Sequence, residues 1–335
     1  MTKKQLFDGV MSGEVTGKAI FWPILMHFAA RFNHTTYGKF ASDYKVFVAS
    51  NIKSLDYFEL DMVSLISDPY RETSAFGAKI EFQEEGVPKC LNLLVQTTED
   101  VKALKNPDVY KAERTLDRIN GAKLFSQKLK GNVPVMGWIE GPLAEACDLA
   151  GVSEMLIKLM TDPDFSNLLM DKCMITAREF AKAQVEAGCD IIGMGDAICS
   201  QIDNYTYDTL IKARHIDMVE YIHSLGARVK LHICGDINHL LPSIKDLGCD
   251  IVDIDWQVDL DHAYDILGTN VMCAGNINPV TIMQKTANEI AVLSKILVEK
   301  EKGKKFNLSG GCEIAVTTPP ENLLAMRKAS NYEKT

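Results

Sequence analysis

A chain of 335 residues, 47% of them hydrophobic, can bury a sizeable core, and α/β barrels reach this length as one domain. A formal charge of −9 with no long basic stripe argues against nucleic acid as a partner, and no apolar run approaches the roughly 20 residues that cross a bilayer. Nine cysteines scattered without small-scaffold spacing read as reduced thiols, and residues 1–5 lead into a mixed polar segment, so a cytoplasmic protein without disulfides is expected.

In chain order, residues 20–26 and 62–67 read as the first two strands. Residues 77–95 alternate in short β-like runs and 97–129 are charged and helical, so a segment of about 77–129 is expected as an insertion covering the fold. From residue 133 onward β-branched runs at 133–139, 190–195, 228–233, 250–254, 270–274 and 305–308 alternate with amphipathic helical patterns, among them 164–186, 208–225 and 287–300. Strand-then-helix repetition is the mark of a parallel sheet, and about eight strands close a barrel. The predicted fold class is therefore α/β: one TIM (β/α)8 barrel domain over residues 1–335, with an N-terminal extension and the insertion. An internal echo, Ala187-Gly188-Cys189-Asp190 against Leu247-Gly248-Cys249-Asp250, opens two of these strands and places both cysteines at the N-terminal face, as structural residues.

Polar residues collect where the strands end, the face on which barrel enzymes build their sites. They are Glu140, Asp196, His232 with Cys234, Asp253 with Asp255, Asn276 and Cys312. His232 and Cys234 stand two apart at a strand end and so share a face. Cys312 follows a later strand at a glycine-rich break and joins them only if the two strand ends converge. One imidazole and two thiolates would form a three-ligand zinc site with an open position, the catalytic arrangement. Taken alone, a His-x-Cys in an apolar strand is more often a buried histidine beside a small thiol.

Other assignments follow from position. Glu140 is a candidate to protonate a leaving oxygen, against a plain role in a helix cap or ion pair. Asp255 is expected to hold the His232 imidazole from behind. Trp138, Tyr205, Tyr207, Trp256 and Phe28 are candidates for an aromatic pocket wall, Asn276 for substrate contact or for shaping its Gly-Asn-Ile-Asn-Pro turn, and Cys199 for an inert thiol.

Several segments together resemble the uroporphyrinogen decarboxylase superfamily, and within it the zinc-dependent, corrinoid-linked methyltransferases. They are Gly141-Pro142, Leu231-His232-Ile233-Cys234-Gly235, Asp253-Ile254-Asp255-Trp256, Gly275-Asn276-Ile277-Asn278-Pro279, and Gly311-Cys312-Glu313-Ile314 followed by Thr318-Pro319-Pro320-Glu321-Asn322. The resemblance implies zinc on His232, Cys234 and Cys312, a substrate-contacting acid at Asp196, and methyl exchange between a small substrate and the cobalt of a corrinoid. The donor it suggests is an O-methyl or methoxyaromatic compound, with a coenzyme thiol as acceptor nearly level with it. The chain has no Asp-x-His-x-x-Gly segment of a corrinoid module, so the corrinoid is expected on a separate partner protein. The decarboxylase branch carries an Arg-Gln-Ala-Gly-Arg stretch for its polycarboxylate substrate. Here that place reads Pro23-Ile24-Leu25-Met26-His27-Phe28-Ala29-Ala30-Arg31, in which His27 joins a more apolar substrate wall. Porphyrinogen decarboxylation is the alternative function.

Overall fold

The computed structural model describes residues 1–14 and 17–332. Eight parallel strands, in chain order, are β1 (Ile20–Phe21), β2 (Val63–Ser64), β3 (Val135–Glu140), β4 (Ile191–Gly195), β5 (Arg228–His232), β6 (Ile251–Asp253), β7 (Met272–Ile277) and β8 (Phe306–Gly310). From β2 to β8 each strand pairs with the next in sequence, and β8 returns to β1. The seam between β1 and β2 is held by Asp61, whose N–H donates to the Phe21 carbonyl at 2.9 Å while its carboxylate accepts the Phe21 N–H at 2.9 Å. The expected (β/α)8 architecture is thus observed, and one hydrophobic cluster runs through it from Leu6 to Met326.

Aspartate plays the same part at two further seams. Asp190, just before β4, accepts the Val135 N–H at 2.9 Å, and Asp250, just before β6, accepts the Val229 N–H at 2.8 Å. The repeated Gly-Cys-Asp is therefore a strand-starting device: the aspartate satisfies a donor at the start of the preceding strand, and Cys189 and Cys249 are buried beside it.

β1 is shorter than the expected 20–26 because Pro23 has no N–H for a ladder and Trp22 bonds to a side chain instead. The Asn307 amide accepts the Trp22 N–H at 2.9 Å and donates to its carbonyl at 3.1 Å. Within the expected insertion, helix Glu113–Leu129 packs on the barrel: Gly121 lies against Leu65, and Phe125 meets Phe47 at 6.2 Å between ring centroids. That helix serves as the wall between β2 and β3. The excursion proper contains an antiparallel pair, Ile80–Glu81 with Lys89–Cys90, next to helix Tyr37–Ser42, where the Tyr37 N–H donates to the Glu84 carbonyl at 2.9 Å. Among the described residues no helix is long and apolar enough to cross a membrane.

Candidate metal centre

His232 closes β5, Cys234 follows it by two residues, and Cys312 follows β8 by two. The strands are not neighbours, and only the curl of the sheet brings their ends together: one ligand atom from each of the three lies within 4.8 Å of the others. Cys312 is held by backbone on both sides. The Gly311 N–H donates to Ile277 of β7 at 2.9 Å, and the Ile314 N–H donates to Ile24 beyond β1 at 3.0 Å. Gly311 is required there, because a Cβ would sit 2.4 Å from the Trp256 nitrogen.

Behind the imidazole lies a buried charge column. Asp253 Oδ2 is 2.6 Å from His232 Nδ1, and Asp253 Oδ1 is 2.9 Å from Lys230 Nζ, which stands 4.4 Å from the centroid of the Trp22 ring. A carboxylate at Nδ1 fixes the ring and turns Nε2 toward the thiols. Burial disfavours the charged imidazole, yet hydrogen bonds to Asp253 and Cys312 prevail and raise His232 to about 9. The hydrogen bond between the two thiols lowers Cys234 below its ordinary range and, with burial, pushes Cys312 up. The imidazole is buried and both thiols are partly exposed, so the cluster opens toward the barrel mouth. One nitrogen and two sulfurs fit zinc in its three-ligand form.

The carboxylate behind the histidine is Asp253, not the expected Asp255. β5 and β6 pair Lys230 with Ile251 and Leu231 with Val252, which sets Asp253 directly beside His232. Asp255 lies beyond the strand and accepts the Gly235 N–H at 3.1 Å and the Gln257 N–H at 3.2 Å, shaping the loop.

Asp196 also has a different place from the one expected. It is fully buried, with Oδ1 accepting the Ala144 N–H at 2.7 Å and Oδ2 lying 3.3 Å from the Leu143 N–H and 2.9 Å from His215 Nε2. Gly141 permits this approach, since a Cβ there would meet Asp196 at 2.5 Å. Asp196 therefore anchors the start of helix Pro142–Ala150, with both carboxylate oxygens engaged by that helix and His215. His215 continues to Tyr207, whose hydroxyl is 2.9 Å from Nδ1, so Tyr207 is a core residue and not a pocket wall. Cys199 is buried in the same cluster.

Glu140 does reach the mouth, nearly buried, 2.5 Å from Arg71. Burial and the neighbouring Glu72 hold its carboxyl well above the usual range despite that arginine. The ring of Trp138, 2% exposed, lies 5.8 Å from the His232 ring and fits against Gly193 and Gly195 of β4. The His27 ring stacks on Tyr37 at 3.5 Å, and the His27 backbone N–H donates to the Glu313 carboxylate at 2.9 Å, which ties it to the residue after Cys312. The Asn276 amide donates to the Val258 carbonyl at 2.7 Å and so shapes the loop after β6. Tyr205 is 78% exposed. The residues that the sequence reading missed are Lys230, Arg71 and Glu313. Of these Lys230 had a signal, as a lysine at an inward-facing strand position in register with the triad histidine.

A profile of the uroporphyrinogen decarboxylase (URO-D) family matches residues 2–332, and the chain belongs to that family. Its relatives carry two kinds of name. The chain is 27% identical over 287 residues to a uroporphyrinogen decarboxylase of Geobacter sulfurreducens, covering 82% of this chain and 81% of the relative. It is 28% identical over 267 residues to the methylcobamide:CoM methyltransferase MtbA of Methanosarcina acetivorans, covering 78% and 77%. Among solved structures, a methyltransferase from Methanosarcina mazei superposes with a TM-score of 0.89 at 21% identity, covering 98% of both chains, which shows a shared fold.

Proposed function

We propose that this protein is a zinc-dependent methyltransferase that moves a methyl group between a small substrate and the cobalt of a corrinoid held by a separate protein. One observation carries the reading: an imidazole and two thiols meet within 4.8 Å at the barrel mouth, with a buried carboxylate behind the imidazole. The relatives named methylcobamide:CoM methyltransferases support it. Zinc in such a site acts as a Lewis acid on a substrate sulfur or oxygen. His232, Cys234 and Cys312 would hold the ion. Asp253 accepts the Nδ1 proton of His232, and Lys230 balances the Asp253 charge. Trp138 excludes water beneath the site. Glu140, with its carboxyl raised, holds a proton for a departing oxygen.

The lead substrate is an O-methyl or methoxyaromatic donor, and a coenzyme thiol as acceptor stands close behind. Decarboxylation of a porphyrinogen is the second reading, favoured by the decarboxylase names among the relatives. The mouth argues against it. Its buried guanidinium, Arg71, is already engaged by Glu140 and by the Asp68 carbonyl, which takes its fork away from a polycarboxylate.

The test begins with metal analysis of protein purified without chelator: about one zinc per chain is expected, and Cys312→Ser should lose both the metal and methyl transfer. Cobalt spectra of a corrinoid protein, followed on adding a methoxyarene or a thiol, separate the two substrates. Carbon dioxide release from a porphyrinogen by zinc-stripped protein would overturn the reading.

A further inference from the structure

A groove of about 550 Å³ lies between helix His27–Phe32, the end of helix Tyr44–Tyr57 and the segment 316–320. This falls within the range of roughly 300–1,000 Å³ that small-molecule sites occupy. None of His232, Cys234 and Cys312 lines it.

One feature of its lining calls for a ligand, charge over aromatic surface. Phe32 and Tyr57 meet at 5.0 Å between centroids with their planes at 55°, and Tyr57 is 52% exposed. Lys53 Nζ stands 5.1 Å from the Phe32 ring centroid and donates to the Phe32 carbonyl at 2.9 Å, which fixes the ammonium at the groove. Arg31 and His34 are exposed on the same lining. None of the three basic residues forms an ion pair with a described acidic residue, although the chain as a whole carries −9.

The rings call for a planar apolar body and the basic residues for an anionic group. We propose that this groove binds an aromatic carboxylate, with the ring system against Phe32 and Tyr57 and the carboxylate facing Arg31 and Lys53. The assignment is independent of the metal centre.

Calorimetric titration with naphthalene-1-carboxylate tests it, with naphthalene-1-methanol and acetate as probes that each lack one feature. Saturable binding at one site per chain is expected for the carboxylate, at least roughly tenfold weaker binding for the alcohol, and none for acetate at the same concentrations. The double variant Arg31→Ala/Lys53→Ala should weaken binding by roughly tenfold or more while the circular dichroism spectrum is retained, with a modest fall in Tm from the lost Lys53 bond to the Phe32 carbonyl. Cys312→Ser should leave binding unaltered. Absence of saturable binding, affinity that survives the double variant, loss in Cys312→Ser, or equal binding of acetate would each overturn the proposal.

Discussion

At the scale of single residues, the centre depends on a hydrogen bond that no ligand motif announces. Asp253 fixes the tautomer and orientation of His232. Asp253→Ala should lower zinc affinity roughly 10- to 100-fold in chelator competition, whereas Asp255→Asn should leave it within a few-fold. A second prediction concerns the acids under the mouth. Burial, and then the neighbouring Glu72, raises Asp148 to about 8. A carboxyl whose folded pKa is raised binds more protons in the native state than in the unfolded chain, so stability falls as pH rises from its ordinary value of 3.8 to about 8. Glu140 and Glu145 are raised as well and act in the same direction. Asp148→Asn should therefore flatten the decline of Tm between pH 4 and pH 8, and an unchanged slope would refute the assignment. The three candidate ligands were legible in the sequence because donor chemistry belongs to the residue itself. Whether Asp253 or Asp255 stood behind the histidine was not, because register between two strands decides it.

Elements position the site through close approaches. Trp138 reaches the triad because β4 presents Gly193 and Gly195 to it, and a Cβ on Gly193 would come within 2.3 Å of the indole. Gly193→Ala should cost about 1–3 kcal/mol by overpacking, read from urea denaturation, and should also change the tryptophan emission. Helix Pro142–Ala150 begins on the Asp196 carboxylate, a use that its strand-end position concealed. Apolar periodicity located the strands well where they are long. It overran at β1, where Pro23 and the Asn307 side chain end the ladder early. It also assigned helix Glu113–Leu129 to an insertion, because a charged helix reads alike whether its inner stripe packs on a barrel or on a cover.

For the molecule as a whole, the core and the metal centre are separable. The hydrophobic cluster from Leu6 to Met326 includes none of the three candidate ligands. Chelation should therefore remove zinc while leaving the circular dichroism spectrum unchanged, and the Tm should fall by an amount that tracks free zinc concentration. Asp61 acts at the same scale. It joins the two ends of the sheet and, buried, pairs with both Lys18 and Arg327. Asp61→Ala removes the acceptor of the Phe21 N–H and one of the partners of each cation, and should destabilise the fold by about 3–5 kcal/mol in denaturant titration.

The order of residues alone determined the alternation of strand and helix, and hence the barrel, because hydrophobic period is a local property of the chain. It also determined which donor atoms were available at strand ends. Tertiary structure decided that Cys312 meets His232 and Cys234, that Asp253 and Lys230 stand behind them, and that Asp196 turns inward to a helix. These facts depend on sheet curvature and strand register, which arise only when distant segments pack.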